Sequence, residues 1–138
     1  MNVLVDTSIW SLALRKNNKR LTNNEKEYVN DLSELIKEAR VKIIGPIKQE
    51  LLSGIKNEFQ FYKLKESLSA FEIVNIEAED YENAALLFNH CRRNGIQGSH
   101  IDFLICTMAI KHNFAIFTID KDFEYYAKCT DIILYESR

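Results

Sequence analysis

Acidic residues stand wherever an apolar segment gives way to a helical one. Asp6 follows the run Asn2–Val5 and precedes Thr7 and Ser8; Glu50 lies about one turn beyond Gly45 and Pro46. Asp102 comes just after Gly98 and Ser99, while Asp120 closes the run that ends Phe117, Thr118, Ile119, with Asp122 two residues on. Each acid alone has a structural explanation. Ser99-x-x-Asp102 has the spacing of a capping box, and an acid in a first turn is favoured by the helix dipole. Asp6 or Asp120 could form an Asx-turn, and Glu50 could be a solvated helix residue. The set resists that explanation, because independent caps have no reason to fall at handovers that an open α/β sheet brings to one edge. Two carboxylates ~4 Å apart repel by about 4 kcal/mol at an effective dielectric near 20, so a cluster requires raised pKa values or a cation. An oxygen-only donor set suits Mg²⁺ or Mn²⁺ rather than zinc, and the substrate that fits such an ion is a phosphodiester.

The elements that must position these acids are legible from periodicity. Five short segments rich in β-branched residues read as strands: Asn2–Val5, Val41–Ile44, Phe71–Ile76, Ala115–Ile119 and Ile132–Tyr135. Between Glu79 and Arg93, the residues Tyr81, Ala84, Ala85, Phe88 and Cys91 fall on one helical face; from His100 to His112, Ile101, Leu104, Ile105, Met108 and Ala109 form another. Gly95 suits the position just past a helix end, and Pro46 the first position of a helix. The stretch from Arg15 to Lys26 is polar and reads as a helix–loop–helix excursion. Apolar strands alternating with helices predict one α/β/α three-layer domain over residues 1–138, with a central, mostly parallel five-stranded sheet.

Composition narrows the classes. Of 138 residues, 46% are hydrophobic and 28% charged, which excludes a disordered chain, and four glycines with one proline exclude a collagen-like one. A formal charge of −2 argues against a strongly basic nucleic-acid-coating protein. No run is long enough for a membrane helix and the start lacks a signal-peptide pattern, so the expected location is the cytoplasm. Cys91, Cys106 and Cys129 are odd in number and widely spaced, and are expected to be reduced thiols, with Cys91 and Cys106 in the core. The chain has no G-x-G-x-x-G, Walker A loop or G-x-S-x-G elbow to compete with the carboxylates.

Four segments in order, V-D-T-S-I-W at Val5–Trp10, Q-E-L-L-S-G at Gln49–Gly54, G-S-H-I-D-F-L-I at Gly98–Ile105 and F-T-I-D-K-D-F-E at Phe117–Glu124, resemble the PIN-domain family and, within it, VapC-type toxin ribonucleases. The resemblance covers nearly the whole chain. It implies an Mg²⁺-dependent endoribonuclease of a type II toxin–antitoxin system, inhibited by a cognate antitoxin protein and commonly a homodimer. Carried over by position, Asp6, Glu50, Asp102 and Asp120 match the family's acidic quartet and Asp122 a frequent fifth acid. Cys106 and Thr107 stand where many relatives carry alanines. On this reading Asp6, Asp102 and Asp120 hold the metal, Glu50 acts on the attacking water, and Ser8, Thr118 and Asp122 support them.

Other residues carry less. His100 sits beside the acids but reads as a surface or capping residue, and Trp10 as core. The basic candidates for RNA contact are Arg15, Lys16, Lys19 and Arg20, with Arg92 and Arg93 apart from them; a solvated face is the alternative for both groups. The apolar positions between Ile9 and Ile36, among them Trp10, Leu14, Tyr28, Leu32, Leu35 and Ile36, serve either the core or a partner helix. A phosphatase or phosphotransferase using Asp6 as nucleophile is a competing reading, weakened because Ser8 stands where a second acid would be wanted. A catalytically idle interaction module is another, opposed by the complete quartet.

Overall fold

The computed structural model describes residues 1–14 and 20–137. Twelve elements run β1 (Val3–Val5), α1 (Thr7–Leu14), α2 (Asn23–Lys37), β2 (Val41–Ile44), α3 (Gly45–Leu52), α4 (Glu58–Leu68), β3 (Ile73–Val74), α5 (Ala78–Arg93), α6 (His100–His112), β4 (Ala115–Phe117), α7 (Asp122–Cys129) and β5 (Ile133–Leu134). The strands pair β3-β2-β1-β4-β5, and every pairing is parallel. The chain builds outward from β1 to β3, then returns to the other side of β1 with β4. That reversal leaves a crevice beyond the C-terminal ends of β1 and β4, where open α/β sheets collect ligands.

Burial explains why the strands read as continuous apolar runs. Val3, Leu4, Val5, Ile43, Ile44, Ala115, Ile116 and Phe117 are all buried, as a sheet covered on both faces requires. In α6 every residue from Phe103 to Ala109 is buried, because this helix packs against β4 on one side and α5 on the other. Trp10 is core, its ring edge-on to Phe71 at 5.2 Å. Ser99 caps α6 by accepting the Asp102 N–H, Thr22 and Glu25 form a capping box on α2, and Gly95 follows α5 at φ +79°.

Several expectations need correction. The strands are shorter than their apolar runs. Phe71 is still held by the end of α4 through its N–H to the Leu68 carbonyl. Thr118 leaves the ladder because its hydroxyl accepts the Asp120 N–H. Ile132 does likewise, its N–H bonded to the Thr130 hydroxyl. Pro46 takes the second position of α3, since Ile44 is the N-cap. On the apolar faces of α5 and α6, Tyr81, Ala85 and Ile101 are exposed; with Ala84, Phe88 and Leu104 they line a surface groove between the two helices. Between Ile9 and Ile36, Trp10, Leu32 and Leu35 are spent on the core, and Leu14 and Ile36 stay exposed. Arg15, Lys16 and Lys19 lie outside the described residues, while Arg20 is exposed.

The cysteines depart most. Cys91 and Cys129 are joined by a disulfide, and only Cys106 is a free, buried thiol. Sequence separation hid this pair, because α5 and α7 pack side by side and their last turns meet. Burial, with the nearby Asp102 charge, pushes the Cys106 thiol well above its ordinary range, so it is inert.

Candidate active site

The crevice beyond β1 and β4 is built around Asp6, a carboxylate with only 7% exposure. Its N–H donates to the Phe117 carbonyl at 2.9 Å, extending the sheet by one residue, and its carbonyl accepts from Ile9 and Trp10 to start α1. The side chain is fixed by two hydroxyls: Ser8 Oγ and Thr118 Oγ1 each donate to Oδ2 at 2.8 Å. Ser8 Oγ also accepts the Ile119 N–H at 3.2 Å, so one residue ties the α1 turn to the end of β4. Among the described residues none of these bonds involves Oδ1.

Glu50, exposed on the last turn of α3, is held by Thr7, whose hydroxyl donates to Oε2 at 2.6 Å. Thr7 was not singled out from the sequence, where it is one more member of a common tripeptide. Asp102, Asp120 and Asp122 each bring a carboxylate oxygen within 4.8 Å of the other two. The tight group therefore contains Asp122, read from the sequence as a supporting acid. Asp6 and Glu50 stand apart from that group, although Asp6 is near enough for its charge to act on Asp102. Asp120 has a capping duty as well, since its Oδ1 accepts the Asp122 N–H at 2.9 Å at the start of α7.

Tyr126 is the residue that sequence reasoning missed. It lies fully buried on α7 and donates its hydroxyl to Asp102 Oδ2 at 2.7 Å. Its ring packs against Phe103 and Phe123 at centroid distances of 4.8 and 5.1 Å. Gly98 makes room for it: a Cβ there would fall 2.6 Å from the ring carbons Cε1 and Cζ. A tyrosine amid apolar neighbours on a short amphipathic helix carries no sequence signal of its own. The Gly-Ser pair before Asp102 was the only hint of close approach. His100 is not aimed at the acids; it stacks on Phe88 at 4.9 Å.

Burial is the main cause that pushes the Asp102 carboxyl above its usual range. Hydrogen bonds from Tyr126 and Ser99 oppose it, and the charges of Asp120 and Asp6 add to the rise. A carboxyl raised on folding loses stability as pH climbs from its unfolded value through its folded one, and the deficit persists at neutral pH. In EDTA at pH 7, Asp102→Asn is therefore expected to melt above the wild type, with the difference vanishing below the ordinary carboxylate pKa. Thermal unfolding across pH checks this. Tyr126→Phe keeps the packing and removes the donor. It is expected to raise the Asp102 pKa further and to cost about 1.5–3 kcal/mol at pH 7, the usual worth of a hydrogen bond to a charge. Carboxyl-carbon NMR titration in EDTA reads the first effect and denaturant unfolding the second.

The donor set contains only oxygen and lies partly desolvated beside further negative charge. That chemistry suits a hard divalent cation.

An α/β/α domain with a parallel sheet and carboxylates gathered where the strand order reverses defines a class of α/β folds with an acidic site at the switch point. The chain belongs to the PIN domain family, whose family model matches residues 3–128. Over 132 residues it is 27% identical to the VapC ribonuclease Mb1587 of Mycobacterium bovis and to ribonuclease VapC11 of Mycobacterium tuberculosis, covering 94% of this chain and 95% of each relative. Among solved structures it is similar to VapBC2 from Rickettsia felis bound to a DNA fragment from their promoter, with TM-score 0.76, 23% identity and 98% of both chains covered. It is also similar to FitAcB from Neisseria gonorrhoeae, with TM-score 0.74, 21% identity, and 97% and 96% covered. These structural likenesses establish the fold. Among the described residues no helix is long and apolar enough to cross a membrane.

Proposed function

We propose that this chain is a divalent-metal-dependent endoribonuclease of the VapC toxin type, acting in the cytoplasm and neutralised by a cognate antitoxin. The observation that carries the reading is the convergence of Asp6, Asp102, Asp120 and Asp122 at one crevice of a PIN domain, with every donor an oxygen. The similarity to VapC ribonucleases supports the substrate class, and a solved toxin–antitoxin complex from Klebsiella pneumoniae of the same fold, with TM-score 0.60 and 22% identity, supports the partner.

In this reading Asp6, Asp102 and Asp120 would hold Mg²⁺ or Mn²⁺, with Asp122 beside them. The bound ion would supply Lewis acidity toward a phosphodiester oxygen and lower the pKa of a water. The protein's part is positioning. Ser8 and Thr118 fix the Asp6 carboxylate, and Tyr126 fixes that of Asp102, so neither must reorganise as charge develops on the phosphate. Glu50, anchored at Oε2 by Thr7, takes the proton from the attacking water. The phosphotransferase alternative loses ground, because Ser8 occupies the position of its second acid and donates to Asp6.

Arg20, together with Arg15, Lys16 and Lys19 outside the described residues, is the candidate RNA contact. Leu14 and Ile36, left exposed on α1 and α2, mark where a partner helix or a second copy would add apolar contact. The test is incubation of purified protein with structured RNAs in Mg²⁺ and in EDTA, with the cut ends mapped. Metal-dependent cleavage supports the reading, and none on any RNA tried, with folded protein and metal bound, overturns it. Mg²⁺ or Mn²⁺ is expected to raise the melting temperature of the wild type, because an ion that binds only the folded state stabilises it, and to raise it less in Asp6→Asn. Co-expression with the adjacent short reading frame checks the partner: growth arrest without it and rescue with it are expected.

A further inference from the structure

The Cys91–Cys129 bond joins the last turn of α5 to the end of α7 across 38 positions, with Cα atoms 5.7 Å apart. Its two sulfurs have unequal surroundings. Cys91 is wholly buried, whereas Cys129 is half-buried and lines an open cavity with His90, Asn94, Lys128, Thr130 and Asp131. A small thiol can therefore reach Cys129 and cannot reach Cys91. Lys128 favours an anionic thiol in that cavity, and Asp131 opposes it.

The opened form is provided for as well. The Tyr126 carbonyl lies 3.6 Å from Cys129 Sγ and the Cys129 carbonyl 4.0 Å from Cys91 Sγ, so each thiol S–H would find an acceptor without rearrangement. Neither state strands a buried polar group. The same helix carries the link to the carboxylates. Tyr126 lies one turn before Cys129, and its hydroxyl holds Asp102. With the bond closed, the C-terminal end of α7 is tied to α5; with it open, that end depends on non-covalent packing alone.

We propose that Cys91 and Cys129 are a reversible redox pair, opened by low-molecular-weight thiols through the cavity at Cys129, whose state sets how firmly α7 holds Tyr126 on Asp102. In the forward direction a glutathione thiolate attacks Cys129 Sγ, breaking the protein S–S bond and forming a mixed disulfide. Cys91 leaves as a thiolate and takes a proton. A second glutathione thiolate then attacks the glutathione sulfur of the mixed disulfide, releasing glutathione disulfide and the Cys129 thiolate, which is protonated in turn. Two thiols are oxidised and one protein disulfide is reduced. Glutathione disulfide as oxidant drives the reverse.

The idea rests on the reading of Asp102 as part of the functional site, and its test separates the two. Full-length wild type is equilibrated in glutathione buffers from reducing to oxidising, quenched with acid, alkylated after unfolding and counted by mass spectrometry. One free thiol, that of Cys106, is expected at the oxidising end and three at the reducing end. In EDTA the reduced form is expected to melt about 10 °C lower, as loss of a cross-link closing a loop of this size predicts. Its α7 amides should exchange hydrogen at least about tenfold faster. Mn²⁺ should bind the reduced form about fivefold more weakly, the low end for coupled sites. A Cys91→Ser, Cys129→Ser double variant should match the reduced protein and ignore glutathione. Three thiols in every buffer would overturn the redox pair, and equal α7 exchange in both states would overturn its coupling to the site. Absence of Mn²⁺ binding in both states would instead count against the metal reading of the carboxylates, leaving the pair to be judged on thiol count and exchange.

Discussion

Asp6→Asn and Asp102→Asn are each expected to cut metal-dependent RNA cleavage by about 100-fold or more while leaving the fold intact. Removal of one preorganised charge-stabilising group commonly costs on the order of 10²–10³ in turnover. The amide preserves shape and still accepts hydrogen bonds, so Ser8 and Thr118 keep a partner at position 6 and Tyr126 keeps one at position 102. What disappears is the charge that a divalent cation requires. Glu50→Gln separates the roles: it should lower turnover with little change in metal affinity, because the proposed part of Glu50, anchored by Thr7, is on the attacking water rather than on the ion. Cleavage assays beside Mn²⁺ titrations of the three variants read both quantities. Wild-type cleavage by Asp6→Asn or Asp102→Asn would remove these residues from the metal site, and equal loss of metal binding in all three variants would remove the division of labour.

Gly98→Ala is expected to be strongly damaging, since Gly98 alone of the four glycines has side-chain atoms within reach of an added methyl. The added carbon would fall 2.6 Å from two ring carbons of Tyr126, a side chain with no exposed surface into which it could retreat. Overpacking of this kind typically costs about 1–3 kcal/mol. Here the ring must also withdraw its hydroxyl from Asp102, so metal affinity should fall along with stability. Tyr126→Leu, which removes the obstructing ring, should make a subsequent Gly98→Ala nearly neutral. That non-additivity is the signature of a direct clash, and a double-mutant cycle by denaturant unfolding measures it. Additive losses would show that the glycine serves the backbone rather than the tyrosine.

The parallel α/β architecture was legible because its strands are buried on both faces and therefore read as unbroken apolar runs. Capping at Ser99 and the turn at Gly95 were legible for a local reason, since each depends on residues within one helical turn. The site was legible in residue type and less so in grouping. Asp122 joins Asp102 and Asp120 because a short turn folds it back, a detail set by the Asp120 carboxylate accepting its N–H. Tyr126 and the Cys91–Cys129 bond escaped for a shared reason. Both depend on where α7 comes to rest against α5 and α6, and residue spacing along the chain does not encode that placement. Amphipathic periodicity identifies an apolar face without saying whether another element covers it, and Tyr81 and Ile101 stay exposed.

The sheet ends on both sides in strands of two residues, β3 and β5, carrying Ile73 and Ile133 outward. A ladder that short offers an incoming strand about one pair of backbone hydrogen bonds, too few to template cross-chain pairing. The fold thus protects itself from edge-to-edge aggregation by truncation rather than by charge or proline. Recruitment of another polypeptide by strand addition at these two edges is closed off for the same reason.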